Sequence, residues 1–178
     1  MIALHAPATD SGLQSLILLE ELGLPYTFQR LDPIGPSESE TQDATKAVPF
    51  IYDDSNSLTL HSSGAILLYL AEKTRRLLPI MPQARACAYQ WLFAPTAIAS
   101  GVFHDDVIRT CLAEQNDALR KRDYLVGEFS LADIACYPFV KRYSASHAFD
   151  GWHALGSWLK RMGARPAVIV AQAKMAGT

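Results

Sequence analysis

The most constraining feature of this sequence is a change of pattern near residue 75. Residues 1–75 alternate strand-like runs with helical segments, whereas residues 83–178 have helical spacing throughout. Residues 76–82, which include Pro79 and Pro82, separate the two parts. We therefore predict an α/β domain over residues 1–75, a linker over 76–82 and an all-α domain over 83–178.

The order of the elements predicted in residues 1–75 is β-α-β-(α)-β-β-α, which is a thioredoxin-like arrangement. Strands are indicated by short apolar runs that end in turn residues, and helices by apolar residues spaced three and four apart. The predicted strands are Ile2–His5, Tyr26–Leu31, Val48–Asp53 and Leu58–Leu60, and the predicted helices are Gly12–Leu22, at most a short one within Pro33–Thr45, and one beginning at Ser62-Ser63.

The composition narrows the classes of function. Apolar residues make up 49% of the 178 residues, which is enough to bury a core. The net charge of −2 does not indicate a surface for polyanions, and the longest apolar stretch, Ala65–Ala71, is too short to span a membrane. We expect no nucleic-acid partner, no membrane association and, because no basic leader precedes His5 and Pro7, a cytoplasmic location.

The three cysteines, Cys87, Cys111 and Cys136, show no C-x-x-C or C-x-x-H spacing. Zinc sites and dithiol redox centres both need thiolates held close together, so neither is expected. We therefore predict no metal site. Each cysteine is expected to be a small buried hydrophobic residue.

Capping patterns mark two predicted helix starts. Ser11 and Gln14 form the S-x-x-Q of a capping box, and Ser130 and Asp133 form a second one in which Asp133 takes the reciprocal role. Capping accounts for Asp133 without a catalytic role. The Ser11 hydroxyl can accept a hydrogen bond from the backbone and still donate its own proton, so capping and catalysis are compatible at that residue.

Four segments in both halves of the chain form a recognisable set. They are Leu19-Glu20-Glu21-Leu22-Gly23-Leu24-Pro25-Tyr26, Val48-Pro49, Ser63-Gly64-Ala65-Ile66-Leu67-Leu68-Tyr69-Leu70-Ala71-Glu72-Lys73 and Phe129-Ser130-Leu131-Ala132-Asp133-Ile134-Ala135-Cys136-Tyr137-Pro138. Taken together, and in this order along the chain, they resemble the soluble glutathione S-transferase family. The opening segment, 6–12, is most similar to bacterial Nu-type members, which reduce disulfides; Thr9 matches that group, and Ser11 stands where it has Asn.

The resemblance implies a thioredoxin-like domain that binds glutathione as co-substrate, a helical domain that closes a pocket for a small electrophilic or disulfide substrate, and a homodimer. Thr9 and Ser11 are the implied catalytic residues. A thiol with a pKa near 8.5 is mostly protonated at neutral pH, whereas the thiolate is the nucleophile, so the site must lower that pKa. Hydroxyl donors and a helix N-terminus both favour the anion. The alternative is that Thr9 is a turn residue that bonds its own backbone.

The resemblance also implies a set of glutathione-binding residues. Val48 precedes Pro49, which corresponds to the family's cis-proline, and its backbone pairs with the cysteinyl part of glutathione. Ser63 at a helix start corresponds to the residue that binds the γ-glutamyl carboxylate, for which a helix N-terminus is suited. Ser62 and Lys46 complete the set, Lys46 by reaching the glycyl carboxylate. Ordinary strand-start and helix-cap roles are the alternatives for Val48 and Ser63.

Two departures from the family pattern leave other functions open. Ser62 replaces the Glu, Gln or Asp that usually precedes Ser63, so a charge-assisted contact to the γ-glutamyl ammonium group is lost. The helical domain is short, and Pro95 and Ser100-Gly101 are expected to interrupt its first helix. The alternatives are a specialised glutathione-dependent, sulfur-handling enzyme of a biosynthetic pathway and a non-catalytic scaffold or regulatory protein.

Overall fold

The computed structural model of the protein describes residues 1–31, 48–99, 105–146 and 151–177. Within these ranges the chain forms four strands and seven helices, which divide into two units. The first unit contains residues 1–74 and the chain from Pro166 onwards, and the second contains residues 75–165. The first is α/β and the second is all-α, which confirms the predicted fold class.

The first unit is built on a four-stranded sheet with the strand order β2-β1-β3-β4. Strand β1 (Ile2–Pro7) runs parallel to β2 (Tyr26–Leu31) and antiparallel to β3 (Phe50–Asp53), and β3 is antiparallel to β4 (Leu58–His61). Helix α1 (Asp10–Leu22) connects β1 to β2, as a parallel pair of strands requires. This mixed sheet is the predicted thioredoxin-like arrangement.

The core of this unit lies between the sheet and its helices. Helix α1 packs against β1 and against α2 (Ser63–Thr74). Burial alternates along β1, because successive side chains of a strand point to opposite faces of the sheet. The fully buried apolar residues of the unit include Leu4, Ala6, Leu16, Ile17, Leu18, Leu19, Ile51, Ile66, Leu67 and Leu70.

A last helix, α7 (Pro166–Ala176), packs against α1 and so belongs to the first unit. The sequence analysis had placed these residues in the all-α domain. The difference arises because proline is favoured in the first turn of a helix, so Pro166 begins a new helix after the preceding one ends. An ion pair between Lys174 Nζ and Glu20 Oε1, at 2.7 Å, joins α7 to α1.

The second unit consists of four helices, α3 (Pro82–Ala99), α4 (Asp105–Leu119), α5 (Leu131–Ser146) and α6 (His153–Gly163). Helix α5 packs against α3 and α6, and α4 packs against α6. The central position of α5 explains why residues 130–140 are all buried. Within the described part of the chain, no helix combines the length and the apolar character needed to cross a membrane.

Two expectations for this unit were wrong. Helix α3 continues past Pro95 to Ala99, so that proline does not end the helix, while Ser100-Gly101 lies outside the described residues. Cys87 is exposed on α3, Cys111 is half-buried and only Cys136 is fully buried as predicted. Cys87 lies next to the buried Ala88 on this helix, but one position away from the buried face.

The capping box at the start of α5 is confirmed, and Asp133 is buried at its centre. The Asp133 carboxylate accepts hydrogen bonds from the backbone N–H of Ser130 at 3.0 Å, the backbone N–H of Leu125 at 3.0 Å and Trp158 Nε1 at 2.8 Å. Burial raises the pKa of Asp133 to about 6, although these hydrogen bonds favour the ionised form. The group therefore joins the start of α5 to α6 and to the loop before α5.

We expect Asp133→Asn to destabilise the protein by about 2–4 kcal/mol, because an amide nitrogen would face N–H donors that now bond to a carboxylate oxygen. Urea denaturation followed by circular dichroism measures this. Asp117→Asn is the matched control, because Asp117 forms an exposed pair with Arg120 at 3.0 Å, and should cost less than about 0.5 kcal/mol. Equal losses in both variants would show that the buried network does not stabilise the unit.

Candidate active site

The sheet topology places three chain segments of the candidate site at one end of the first unit. Because β1 and β3 are antiparallel, the end of β1 lies beside the start of β3, and the same relation places the end of β4 there. His5, Phe50 and His61 occupy paired positions on these strands, and the His5 and Phe50 rings stack with centroids 4.5 Å apart. Helices α1 and α2 begin directly after β1 and β4, so both N-termini lie at this end.

Thr9 caps the N-terminus of α1. Its backbone is extended, with φ −125° and ψ 170°, and its Oγ1 accepts a hydrogen bond from the backbone N–H of Gly12 at 3.3 Å. The predicted capping box of Ser11 and Gln14 is wrong, because the helix begins at Asp10 and Ser11 is already inside its first turn. The turn conformation at Thr9, with its N–H bonded to the Pro7 carbonyl at 2.8 Å, starts the helix two residues earlier than its apolar pattern indicates.

The hydroxyls of Thr9 and Ser11 form a pair at this helix end, with Oγ1 and Oγ 3.0 Å apart. Either oxygen can be the donor, and each hydroxyl has one proton. If Ser11 donates to Thr9, the Thr9 proton is free, and if Thr9 donates to Ser11, the Ser11 proton is free. The pair therefore always has one O–H left for an incoming anion, next to the positive end of the helix dipole.

Gly12 allows α1 to approach the end of β1 closely, and the sequence analysis missed its importance. A Cβ atom at this position would lie 2.1 Å from the Pro7 carbonyl oxygen and 3.3 Å from the Ala6 Cβ. The same carbonyl accepts the hydrogen bond from Thr9 that sets the turn. The available signal was a glycine in the first helical turn, where it has no advantage as a helix former.

The segment Val48-Pro49 lies next to the start of α2. The Pro49 carbonyl accepts a hydrogen bond from the Ser62 N–H at 2.9 Å, which holds the two segments together. Val48 is exposed and Pro49 is buried. The expected cis bond is not found, because no peptide bond is cis in the part of the chain that the structure describes. The Val48–Pro49 bond is trans, the form that X-Pro bonds intrinsically prefer.

Ser62 and Ser63 are placed at the N-terminus of α2 as predicted. Ser62 has a left-handed backbone conformation, with φ 76°, which is unfavourable for a residue with a side chain, and its carbonyl accepts the first helical hydrogen bond from Ile66 at 3.0 Å. Ser63 is the first helical residue. Neither hydroxyl bonds to any residue within the described ranges, so both are available to a ligand. Lys46, the remaining predicted site residue, lies outside the described residues.

A polar cluster missed by the sequence analysis anchors α2 at the opposite end of β3. The buried Asp53 carboxylate accepts hydrogen bonds from Tyr69 at 2.6 Å, from Ser55 at 2.7 Å and from Lys73. Burial alone would raise the pKa of Asp53, but these donors hold it well below its usual range. The described residues contain no group of three His, Cys, Asp or Glu side chains that could hold a metal ion.

Gly12→Ala is expected to destabilise the protein by about 1–3 kcal/mol and to displace the Thr9 hydroxyl, because the added methyl collides with the Pro7 carbonyl. Gly156→Ala is the matched control, since nothing lies within 4 Å of a Cβ at that helical position. It should be neutral or stabilising by up to about 1 kcal/mol. Urea denaturation of both variants measures the difference, and a neutral Gly12→Ala would contradict the close approach.

Comparisons with known proteins find a matching family and similar relatives. The model of the glutathione S-transferase N-terminal domain matches residues 14–76. The disulfide-bond oxidoreductase YfcG of Escherichia coli is 30% identical, over 94% of this chain and 92% of that protein.

Two solved structures are also similar over most of their length. A glutathione transferase family member of Pseudomonas fluorescens, with two glutathione bound, has a TM-score of 0.78 and 28% identity, covering 96% of this chain and 91% of that one. A glutathione transferase of Pseudomonas putida, with one glutathione disulfide bound per subunit, has a TM-score of 0.74 and 28% identity, covering 96% and 90%. With a thioredoxin-like unit, a helical unit and a relative of this similarity over nearly the whole chain, the protein belongs to the glutathione S-transferase family.

Proposed function

We propose that this protein is a glutathione-dependent enzyme in which Thr9 and Ser11 stabilise the thiolate of glutathione for attack on a disulfide or an electrophile. The observation that carries the proposal is the hydroxyl pair at the N-terminus of α1, 3.0 Å between oxygens, which has one proton free in either arrangement. Glutathione bound to the Pseudomonas fluorescens relative supports the choice of thiol.

The magnitudes are sufficient for this role. A hydrogen bond to a charged group contributes about 1.5–3 kcal/mol, and a helix N-terminus contributes about 0.3–1 kcal/mol to a nearby anion. Since one pKa unit corresponds to about 1.4 kcal/mol, the two together lower a thiol pKa by roughly one to three units. A thiol that is only a few per cent ionised at neutral pH thereby becomes substantially ionised.

The rest of the site fits the other parts of glutathione. The backbone of the exposed residue Val48, beside Pro49, pairs with the cysteinyl part, as a strand added to β3 would. The free hydroxyls of Ser62 and Ser63 and the N-terminus of α2 bind the γ-glutamyl group, whose carboxylate suits a helix N-terminus. We assign Lys46 to the glycyl carboxylate on the family resemblance.

We favour disulfides as the substrate class, because YfcG is named a disulfide-bond oxidoreductase and the Pseudomonas putida relative binds glutathione disulfide. In the first step, the glutathione thiolate attacks one sulfur of the substrate disulfide, forming a mixed disulfide and releasing the other sulfur as a thiolate, which takes up a proton. In the second step, the thiolate of another glutathione attacks the glutathione sulfur of the mixed disulfide. Glutathione disulfide and the second substrate thiol are released, so two glutathiones are oxidised for each disulfide reduced.

The non-catalytic alternative is less well supported, because the hydroxyl pair, the exposed Val48 and the hydroxyls of Ser62 and Ser63 all lie at one end of the sheet. From the family resemblance we also propose a homodimer in the cytoplasm. Size-exclusion chromatography with light scattering tests the dimer. If the active protein is a monomer, the proposed homodimer is wrong and the proposed chemistry is unaffected.

Removing both hydroxyls, in Thr9→Val with Ser11→Ala, should lower kcat for glutathione-dependent disulfide reduction at pH 7 by about 10- to 100-fold. This corresponds to the loss of about 1.4–2.8 kcal/mol of thiolate stabilisation. Each single variant should lose much less than the double variant, because the remaining hydroxyl still has a proton to donate. Steady-state kinetics with a mixed disulfide of glutathione measures these changes.

Two further variants separate catalysis from helix capping. Thr9→Ser keeps the hydroxyl and should keep most of the activity, whereas Thr59→Val, at an exposed threonine of β4, is the matched control and should leave turnover unchanged. The pH at half-maximal kcat should rise in the double variant, which a purely structural role of the hydroxyls would not produce. Unchanged turnover in the double variant would refute the proposed roles of Thr9 and Ser11.

A further inference from the structure

The second unit has a polar cavity that the proposed glutathione chemistry does not use. It has a volume of about 370 Å³ and lies between the C-terminal end of α4 and one face of α6. Its charged and polar lining consists of Arg120, Lys121, Arg122, Asp123, Ser157 and Arg161. This volume is within the range of small-molecule sites in proteins.

The cavity lining is strongly cationic although the whole chain has a net charge of −2. Four of its side chains are cations and one is a carboxylate. Two of the cations are engaged. Arg161 donates to the Asp123 carboxylate at 3.0 Å and to the Asp123 carbonyl at 2.6 Å, and Arg120 pairs with Asp117 at 3.0 Å.

The side chains of the other two cations, Lys121 and Arg122, form no hydrogen bond or ion pair with any residue in the ranges that the structure describes. The ordinary explanation for basic residues at this place is the negative end of the α4 dipole. That end is equivalent to only about half an elementary charge, so it does not balance two unpaired cations beside two further arginines.

We propose that this cavity binds a small multivalent anion of the phosphate-ester or diphosphate class. Two unpaired cations match two negative charges, and the planar guanidinium of Arg122 can bind phosphate oxygens with two parallel hydrogen bonds. Arg161 and Asp123 both line the pocket, and the two hydrogen bonds between them orient the Arg161 guanidinium. The cavity volume is large enough for a small phosphorylated molecule.

The overall charge hid this feature from the sequence analysis. The net charge of −2 is a sum over the whole chain, in which acidic residues elsewhere offset the basic run 120–122. The run is also short, and its link to Arg161 exists only because α4 and α6 pack together. The cavity lies wholly within residues 75–165, whereas Thr9, Ser11, Val48 and Ser63 are in the first unit, so the two proposals stand or fall separately.

Isothermal titration calorimetry with inorganic pyrophosphate at constant ionic strength tests the proposal on the full chain. We expect saturable binding with one site per chain in the wild type. The double variant Lys121→Ala with Arg122→Ala should weaken binding at least tenfold. Lys141→Ala with Arg142→Ala is the matched control, since it removes the same two residue types from exposed positions of α5 that do not line the cavity, and should change the affinity less than twofold.

Several outcomes would overturn the proposal. One is the absence of saturable binding at pyrophosphate concentrations up to about 10 mM. Another is equal weakening of binding in both double variants, which would indicate a general charge effect. Tighter binding of citrate than of pyrophosphate would replace the phosphate class by carboxylates. Tighter binding of a duplex oligonucleotide or of anionic lipid vesicles would mark the patch as a macromolecular surface. Glutathione titrated into the same variants should bind as it does to the wild type.

Discussion

The close approach of α1 to the end of β1 is the contact on which the candidate active site depends. At Gly12 there is no room for a side chain, because the Pro7 carbonyl occupies the place where a Cβ would be. That carbonyl also accepts the Thr9 N–H, and Thr9 in turn caps Gly12. A strand end, a turn and a helix start are thus joined by one glycine and two hydrogen bonds, and they place the Thr9 and Ser11 hydroxyls together at the positive end of a helix.

The rest of the site is assembled by the sheet. Antiparallel pairing of β3 with both β1 and β4 brings the start of one strand and the ends of two others to the same end of the unit. The hydrogen bond from Ser62 to Pro49 then joins the two outer segments, with Ser62 in an unfavourable backbone conformation. Strain of this kind persists only where the surroundings impose it, and it is common at ligand sites. The Asp53 cluster holds the other end of β3 against α2, so the helix that begins at Ser63 is anchored along its length.

Much of this architecture could be predicted from the sequence, because periodicity and turn chemistry are local. The boundary of β2, the start of α2 and the capping box at Ser130 and Asp133 all follow from neighbouring residues. The start of α1 could not be predicted in the same way, since it depends on a turn at Thr9 that is stabilised by the Pro7 carbonyl. Which surface an apolar helix covers is also a non-local property, and so the residues of α7 were placed in the all-α domain although they pack against α1.

The same distinction applies to the functional residues. The family resemblance implied a set of candidate site residues, and the structure brings the segments of all of them except Lys46, which lies outside the described residues, to one end of the sheet. They are Thr9, Ser11, Val48, Pro49, Ser62 and Ser63. Residue spacing carries no information about distances between elements. The need for glycine at position 12 and the cation cluster of the second unit both depend on such distances. Even on a single helix, residue spacing predicts burial only approximately. Cys87 is exposed, whereas its neighbour Ala88 is buried.

The central claim is that the site holds glutathione as a thiolate, and proton release on binding tests it most directly. Calorimetric titration of reduced glutathione at pH 7.0, repeated in buffers of different ionisation enthalpy, gives the number of protons released. A bound thiol with its pKa lowered by roughly one to three units should release roughly 0.2 to 0.9 of a proton, whereas S-methylglutathione, which has no thiol, should release none. Binding without proton release, or no binding at millimolar glutathione, would contradict the account.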